Sequence, residues 1–106
     1  MDISGFKTKE KVPRESTIER YLVNQVKKLG GMCKKWPGTS GEPDRIVIWN
    51  GVVDFIELKR PGGKLSELQK LMHQDLRDHG ARVYTISTKK EVDDYIEMLQ
   101  GLVLLR

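Results

Sequence analysis

Apolar side chains recur along this chain at two different periods, and the change of period predicts the order of the elements. Helical spacing runs from Ser16 to about Leu29, from Ser66 to about Asp78, and again from Thr88. Between these stretches, short apolar or alternating runs have the lengths that are typical of strands. The predicted order is therefore helix, strand, hairpin, helix, strand, helix, with the last strand returning parallel to the second hairpin strand.

The centre of the chain is a predicted β-hairpin around Asn50-Gly51. Asn-Gly between two β-rich runs favours a two-residue type I′ turn, because both turn positions need a positive φ. That turn fixes the register and, counted back along both strands, places Asp44 opposite Glu57 on one face. The predicted strands are Arg45–Trp49 and Val52–Leu58. The apolar members of the Asp44 face, which we expect to be core, are Ile46, Ile48, Val53 and Phe55.

Two opposed carboxylates at the open end of the hairpin repel each other and add nothing to stability. Period-2 alternation brings Lys59 to the same face as Glu57. A divalent cation between Asp44 and Glu57 would explain this arrangement, because Mg²⁺ is typically held by one or two carboxylates, waters and substrate phosphates. The Leu58 backbone carbonyl is a natural third oxygen ligand. Glu19, on the first helix, is a candidate ligand directly or through water.

A cation held in this way polarises a phosphoryl oxygen and lowers the pKa of a bound water. Lys59 would orient that water and offset the charge that develops on the phosphate. These residue types therefore predict metal-dependent hydrolysis of a phosphodiester bond. The expected cofactor is Mg²⁺, with Mn²⁺ as a substitute.

Two of the candidate site residues have a purely structural alternative. Ser16-x-x-Glu19 and Ser66-x-x-Gln69 both match the capping box, in which the acid or amide returns a hydrogen bond to the first residue's amide. Gln69 also falls within the apolar stripe of the second helix, where a polar amide must find partners. On the residues alone, each side chain either caps its helix or reaches the carboxylate site.

The second helix has a predicted inner stripe and two histidines outside it. The stripe consists of Leu65, Leu68, Met72 and Leu76. His73 and His79 lack a companion of the metal-ligating type, so we expect them to be surface or half-buried residues. The third helix begins with Thr88-x-x-Glu91, where Glu91 is expected only to cap.

Composition limits the class of protein further. The chain has 106 residues, a formal net charge of +4 and one cysteine, Cys33. It is expected to be one soluble domain in a reducing cytoplasm, because it shows no secretion signal, no membrane-length apolar run and no disulfide or zinc motif. Gly62-Gly63-Lys64 lacks the spacing of a Walker A loop, which excludes a nucleotide cofactor. The positive charge is compatible with a polyanionic partner.

The side chains expected to contact a nucleic-acid backbone flank the acidic pair. They are Lys34, Lys35, Ser40, Arg60 and Lys64. Phosphate contacts of this kind anchor a backbone without reading its sequence. The two ends of the chain are less informative. Residues 1–13 are expected to be a flexible basic arm, and the apolar tail at 102–105 either folds back on its own domain or contributes to a dimer contact.

These motifs together resemble the PD-(D/E)XK nuclease superfamily and, within it, the virus-type replication-repair nuclease (VRR-NUC) family. The resemblance covers about residues 15–100. The residues that carry it are Glu19, Gly41-x-Pro43-Asp44, Glu57-x-Lys59 and Gln69. It implies an α/β fold with a restriction-endonuclease-like αβββαβ core, a mixed central sheet flanked by helices, and an extra C-terminal helix. The single nuclease domain would span residues 14–106.

The resemblance also implies an activity and partners. The activity would be Mg²⁺- or Mn²⁺-dependent cleavage of DNA, and stand-alone members resemble four-way junction resolvases that act as homodimers. Such a small nuclease fits a bacterial or phage-infected cell. The alternatives are a restriction- or flap-type endonuclease on the same fold, a module that binds DNA without cutting it, and a structural protein with a chance charge pair.

Overall fold

The structure is a computed structural model that describes residues 12–38 and 40–104. Most of the predicted N-terminal arm, residue 39 of the connecting loop, and Leu105 of the apolar tail lie outside the described residues. The elements are α1 (Glu15–Leu29), β1 (Met32–Lys35), β2 (Arg45–Trp49), β3 (Val52–Leu58), α2 (Glu67–Asp78), β4 (Arg82–Ile86) and α3 (Lys89–Leu104). The predicted αβββαβ order with an extra C-terminal helix is confirmed.

The four strands form one mixed sheet in the order β1-β2-β3-β4. β2 pairs antiparallel with both β1 and β3, and β4 pairs parallel with β3 through the crossover helix α2. The hairpin turn adopts positive φ angles of 49° at Asn50 and 79° at Gly51, as its type I′ chemistry requires. The pairing of Trp49 with Val52 and of Ile46 with Phe55 confirms the predicted register.

The main core lies on the opposite face of the sheet from the predicted one. Ile48 and Val53 are exposed, whereas the buried face of the hairpin carries Val47, Val52, Ile56 and Leu58. α1 and α3 both pack on that face, so their apolar stripes complete the core there. The prediction was wrong because both faces of β3 are largely apolar. Which face is covered is decided by the packing of the helices.

One acid is fully buried on the core face. The Asp54 carboxylate lies 2.7 Å from Nε of Arg82 and accepts a 2.6 Å hydrogen bond from the Tyr95 hydroxyl. Burial, followed by the hydrogen bond to Asp54, raises the pKa of Tyr95. A buried carboxylate with both a cation and a hydroxyl donor is compensated within the protein. Asp54 is therefore a structural residue that joins β3, β4 and α3.

The helix α2 covers only the part of the other face that lies near Glu57, and its orientation differs from the prediction. Leu68, predicted to face inward, is 51% exposed, whereas His73, predicted to be near the surface, is completely buried. The helix is rotated so that Gln69 and His73 turn toward Glu57. The expected apolar stripe was therefore wrong at Leu68, because polar contacts with β3 determine which side of α2 faces the sheet.

Residues 102–104 of the C-terminal apolar stretch form the last turn of α3, and Leu104 is exposed. Within residues 12–38 and 40–104, no helix combines the length and apolar content needed to span a membrane.

Candidate active site

Asp44 lies just before β2 and is fixed by backbone hydrogen bonds on both sides. Its amide donates to the Ile56 carbonyl at 3.0 Å, and its own carbonyl accepts from the Trp36 amide at 3.0 Å. One carboxylate oxygen, Oδ2, accepts a 2.8 Å hydrogen bond from the Leu58 amide. The side chain is thereby held across the open end of the hairpin, where the register predicted it.

Glu57 is the acid that Asp44 faces. Its residue surface is only 2% exposed, and its carboxyl is within hydrogen-bond reach of the Asp44 carboxyl. Burial, followed by the hydrogen bond and the charge of Asp44, raises the pKa of Glu57 to about 8. The Oε1 atom has no hydrogen-bond partner among the described residues. The pair is thus electrostatically strained, as the sequence indicated.

Lys59 supplies the positive charge of this group. Its ammonium opposes the upward pKa shifts of both Glu57 and Glu15. The Lys59 amide donates to the Ile86 carbonyl at 3.0 Å, which ties this residue to the end of β4. Lys59 is only partly exposed, so its charge acts in a partly desolvated environment.

Gln69 performs both of the roles that its sequence context left open. Its backbone amide and its side-chain Oε1 exchange hydrogen bonds with Ser66, at 3.1 Å and 2.9 Å, and this completes a capping box. Its Nε2 atom donates to Oε2 of Glu57 at 3.3 Å. The cap fixes the side chain, and the remaining amide nitrogen then reaches the acidic pair.

Glu19 has a different environment from the two that were predicted. Its Oε2 atom forms a 2.7 Å ion pair with Nε of Arg45. The capping box at Ser16 does not form, because the N-cap of α1 is Arg14, two residues earlier, and it makes no side-chain cap. The cap prediction for Glu19 is therefore wrong, and its ligand role has no contact to support it.

The helix carboxylate that is coupled to the site is Glu15, which the sequence reasoning missed. Burial raises the pKa of Glu15 first, and the negative charge of Asp44 raises it further, while Lys59 lowers it. Glu15 is also one of the charges that raise the pKa of Glu57. Glu15 lies four residues before Glu19 and so on the same side of α1, one turn nearer the start of the helix. The helical periodicity of the sequence is compatible with either acid lying on the side of α1 that faces the acidic pair.

His73 is the second residue that was missed. Its Nε2 atom lies 3.4 Å from Oε1 of Glu57, and the ring is completely buried. Burial, followed by the charge of Arg77, lowers the pKa of His73 and keeps the imidazole neutral. The signal in the sequence was the spacing: His73 is four residues after Gln69, on the same helical face.

The residues expected to contact nucleic acid are all exposed: Lys34, Lys35, Ser40, Arg60 and Lys64. Lys34 pairs with Ile46 and so shares the face that carries the acidic pair. The Ser40 amide is engaged by Glu42, to which it donates at 2.6 Å. The arrangement leaves these side chains available to a polyanion, and their role remains a prediction.

The donor set can be compared with the needs of different cations. In the described part of the chain, no three His, Cys, Asp or Glu side chains are grouped closely enough to hold a metal ion by themselves. This excludes a closed cage of zinc type within those residues. Two adjoining carboxylates, one with an unpartnered buried oxygen, fit Mg²⁺, which takes most of its ligands from water and phosphate.

Comparisons with known proteins agree with this fold. The family model for the VRR-NUC domain matches residues 10–90. A protein of Acyrthosiphon pisum secondary endosymbiont phage 1, named "Putative nuclease p44", is 39% identical over 79 residues, which cover 72% of this chain and 85% of the phage protein. A solved VRR_NUC domain structure superposes with a TM-score of 0.72 at 33% identity, over 78% of this chain and 94% of that one.

The mixed sheet and these matches identify a nuclease domain. The chain belongs to the VRR-NUC family.

Proposed function

We propose that this nuclease is a Mg²⁺- or Mn²⁺-dependent, structure-selective DNA endonuclease, and that its preferred substrate is a four-way junction. The observation that carries the proposal is the pairing of the half-buried Asp44 with the buried Glu57, beside Lys59. Burial, followed by the neighbouring Asp44, raises the pKa of Glu57 to about 8, so the protein alone stabilises the ionised form of Glu57 poorly. A cation is the partner that such a pair lacks.

Asp44, Glu57 and the Leu58 carbonyl would hold this cation. When bound, Mg²⁺ supplies polarisation of a phosphoryl oxygen and a bound water of lowered pKa. From α1, we assign the supporting carboxylate to Glu15 rather than Glu19, because Glu15 is electrostatically coupled to the pair and Glu19 is neutralised by Arg45.

The remaining side chains act on the substrate and on the acids. Lys59 orients the attacking water and stabilises the negative charge that develops on the scissile phosphate. Gln69 holds one oxygen of Glu57 through its 3.3 Å hydrogen bond. Lys34, Lys35, Arg60 and Lys64 contact the flanking phosphates, with the Ser40 loop beside them, and position the backbone without reading its sequence.

Cleavage of a four-way junction needs two equivalent nicks, which a two-fold symmetric homodimer provides. The open part of the Asp44 face supplies a candidate contact. There, Met32, Ile48 and Val53 are neighbours across three strands, and all three are exposed. A second copy that covers these side chains would remove apolar surface from water. The phage origin of the curated relative is consistent with a role in a phage-infected bacterial cell.

The test is cleavage of synthetic DNA by the wild type and by Lys59→Ala and Asp44→Asn. We expect Mg²⁺- or Mn²⁺-dependent products from a four-way junction, no products in EDTA, and a loss of about 100-fold or more in both variants. Lys28→Ala is the matched control, because Lys28 is an exposed lysine in the last turn of α1. Undiminished cutting by both site variants would remove this mechanism.

The choice of substrate separates the related activities. Rates on the junction, a flap and a linear duplex are compared at equal enzyme concentration, and a preference for the flap or duplex would assign the alternative endonuclease type. Tight binding in EDTA without any product after long incubation with Mn²⁺ would instead indicate a module that binds DNA without cutting it.

A further inference from the structure

The imidazole of His73 is an unusual side chain for its position. It is 0% exposed, and neither ring nitrogen has a hydrogen-bond partner among the described residues. Burying such a polar ring without hydrogen bonds costs stability, whereas an apolar side chain of similar size would cost nothing. Packing alone therefore does not explain a histidine here.

The nearest acid explains it. Nε2 of His73 lies 3.4 Å from Oε1 of Glu57, and this oxygen is itself without a hydrogen-bond partner. The other carboxylate oxygen, Oε2, accepts from Gln69 at 3.3 Å. Gln69 and His73 are four residues apart on α2, so side chains on one face of the helix contact both oxygens of the Glu57 carboxylate.

We propose that His73 is a positioning residue that, together with Gln69, fixes the plane of the Glu57 carboxylate toward Asp44. The inference rests on the proposed function, because a fixed plane matters only if Glu57 holds a cation. In the 3.4 Å contact, a small rotation of either side chain aligns a hydrogen bond from Nε2–H to Oε1. Hydrogen bonds of this kind to metal-binding carboxylates contribute about 10- to 100-fold to metal affinity.

The contact through Nε2 allows a sharp choice of variants. His73→Leu removes both nitrogens and preserves the apolar bulk. The side-chain amide nitrogen of His73→Gln extends about as far as Nε2, whereas that of His73→Asn reaches only about as far as Nδ1. His79→Gln is the control, since His79 lies just past the end of the same helix and its ring is exposed.

The first measurement is the affinity for Mn²⁺ by calorimetry, on the full chain without DNA. We expect His73→Leu and His73→Asn to raise the dissociation constant by about 10-fold or more. We expect His73→Gln to stay within about threefold of the wild type, and His79→Gln to be unchanged. An unchanged dissociation constant in His73→Leu, with binding intact in the wild type, would overturn the positioning role.

The second measurement is urea unfolding in EDTA for His73→Leu, Glu57→Gln and the double variant. A contact between the two side chains predicts a coupling of about fivefold or more in the folding equilibrium constant, and additive effects would overturn it. His73→Leu itself should unfold at the same or a higher urea concentration, because it removes an unpartnered buried ring. If it is less stable and still binds Mn²⁺ normally, His73 only fills space.

The two proposals fail differently. A wild type that binds no Mn²⁺ and cuts no DNA would contradict the proposed function. A wild type that does both, beside a His73→Leu variant with the same Mn²⁺ affinity, would contradict the inference about His73 alone.

Discussion

At the scale of single residues, the environment of Glu57 determines how the protein responds to pH. Its pKa is about 4.5 in the unfolded chain and is raised to about 8 in the folded one, mainly by burial. Between these values the folded protein keeps a proton that the unfolded chain has released. The free energy of unfolding therefore falls as the pH rises through this range.

The first prediction follows from this fall in the free energy of unfolding with rising pH. In EDTA, the free energy of unfolding of the wild type should fall from about pH 5 to about pH 8. Glu57→Gln has no titrating group at position 57, so its free energy of unfolding should fall less. At pH 8 the variant should therefore be the more stable protein. Urea unfolding across this range measures both curves. Parallel curves for the two proteins would show that the Glu57 carboxyl does not titrate as described.

The two acids of α1 give a second prediction at this scale. Glu15→Gln should lower the cleavage rate about tenfold or more at nearly unchanged stability, because Glu15 is exposed but electrostatically coupled to Asp44. Glu19→Gln should lower the free energy of unfolding by about 1–2 kcal/mol, because Arg45 loses its charged partner, and should keep most of the activity. Cleavage assays and urea unfolding of both variants test this, and the reverse result would restore Glu19 to the site.

The sequence could not have distinguished these two acids. Both are compatible with the same side of a helix, and the choice depends on where α1 begins and on Arg45, which is distant in sequence. Asp44, Glu57 and Lys59 could be predicted because a two-residue turn fixes their register locally. The cap at Gln69 could be predicted for a similar reason, because Ser66-x-x-Gln69 is a local motif, whereas its contact with Glu57 was one of two open alternatives.

At the scale of elements, the loop before β2 is held against α2 by a glycine. Gly41 has a φ of +73°, and an added Cβ would lie 2.7 Å from the carbonyl oxygen of Leu68. This close approach of two backbones sets the distance between α2 and the loop that leads into Asp44. It is a tertiary constraint that the motif Gly41-x-Pro43-Asp44 could only suggest.

The third prediction compares two glycines with positive φ. Gly80→Ala should cost about 1 kcal/mol, because its φ is +90° and the space around it is open. Gly41→Ala should cost at least about twice as much, since it adds the clash with Leu68, and should also lower cleavage by displacing Asp44. Urea unfolding and the junction assay provide both readouts. Equal losses in the two variants would mean that the loop yields without moving the acid.

The order of the elements and the parallel return of β4 could also be predicted, because periodicity and the handedness of crossovers are general rules. The sequence could not predict which face of the sheet the helices α1 and α3 cover. β3 is apolar on both faces, and Asp54 gave the core face a misleading polar signal until Arg82 and Tyr95 were seen beside it.

At the scale of the whole molecule, the exposed apolar side chains on the Asp44 face bear on the assembly. Met32, Ile48 and Val53 form a connected patch on an otherwise charged, basic protein. Sequence patterning could not reveal this patch, because Ile48 and Val53 were expected to be core.

The fourth prediction tests the proposed homodimer through this patch. Val53→Lys should shift the mass in solution from dimer to monomer, measured by light scattering, and should reduce paired nicks in a junction to single nicks. Leu71→Lys is the control, because Leu71 is apolar and 68% exposed on α2, which carries no member of the patch. A wild type that is monomeric at assay concentrations, or a Val53→Lys protein that remains dimeric, would contradict this contact.

Strand β3 carries two buried acids, and of these only Asp54 is paired with an arginine among the described residues. Asp54 has Arg82 and Tyr95, whereas Glu57 has a second acid as its neighbour. Directed evolution for heat resistance alone, with no demand for nuclease function, should therefore discard Glu57 early and retain Asp54. The order in which such a library loses Asp54 and Glu57 would separate the acid that the domain needs for folding from the acid that it needs for activity.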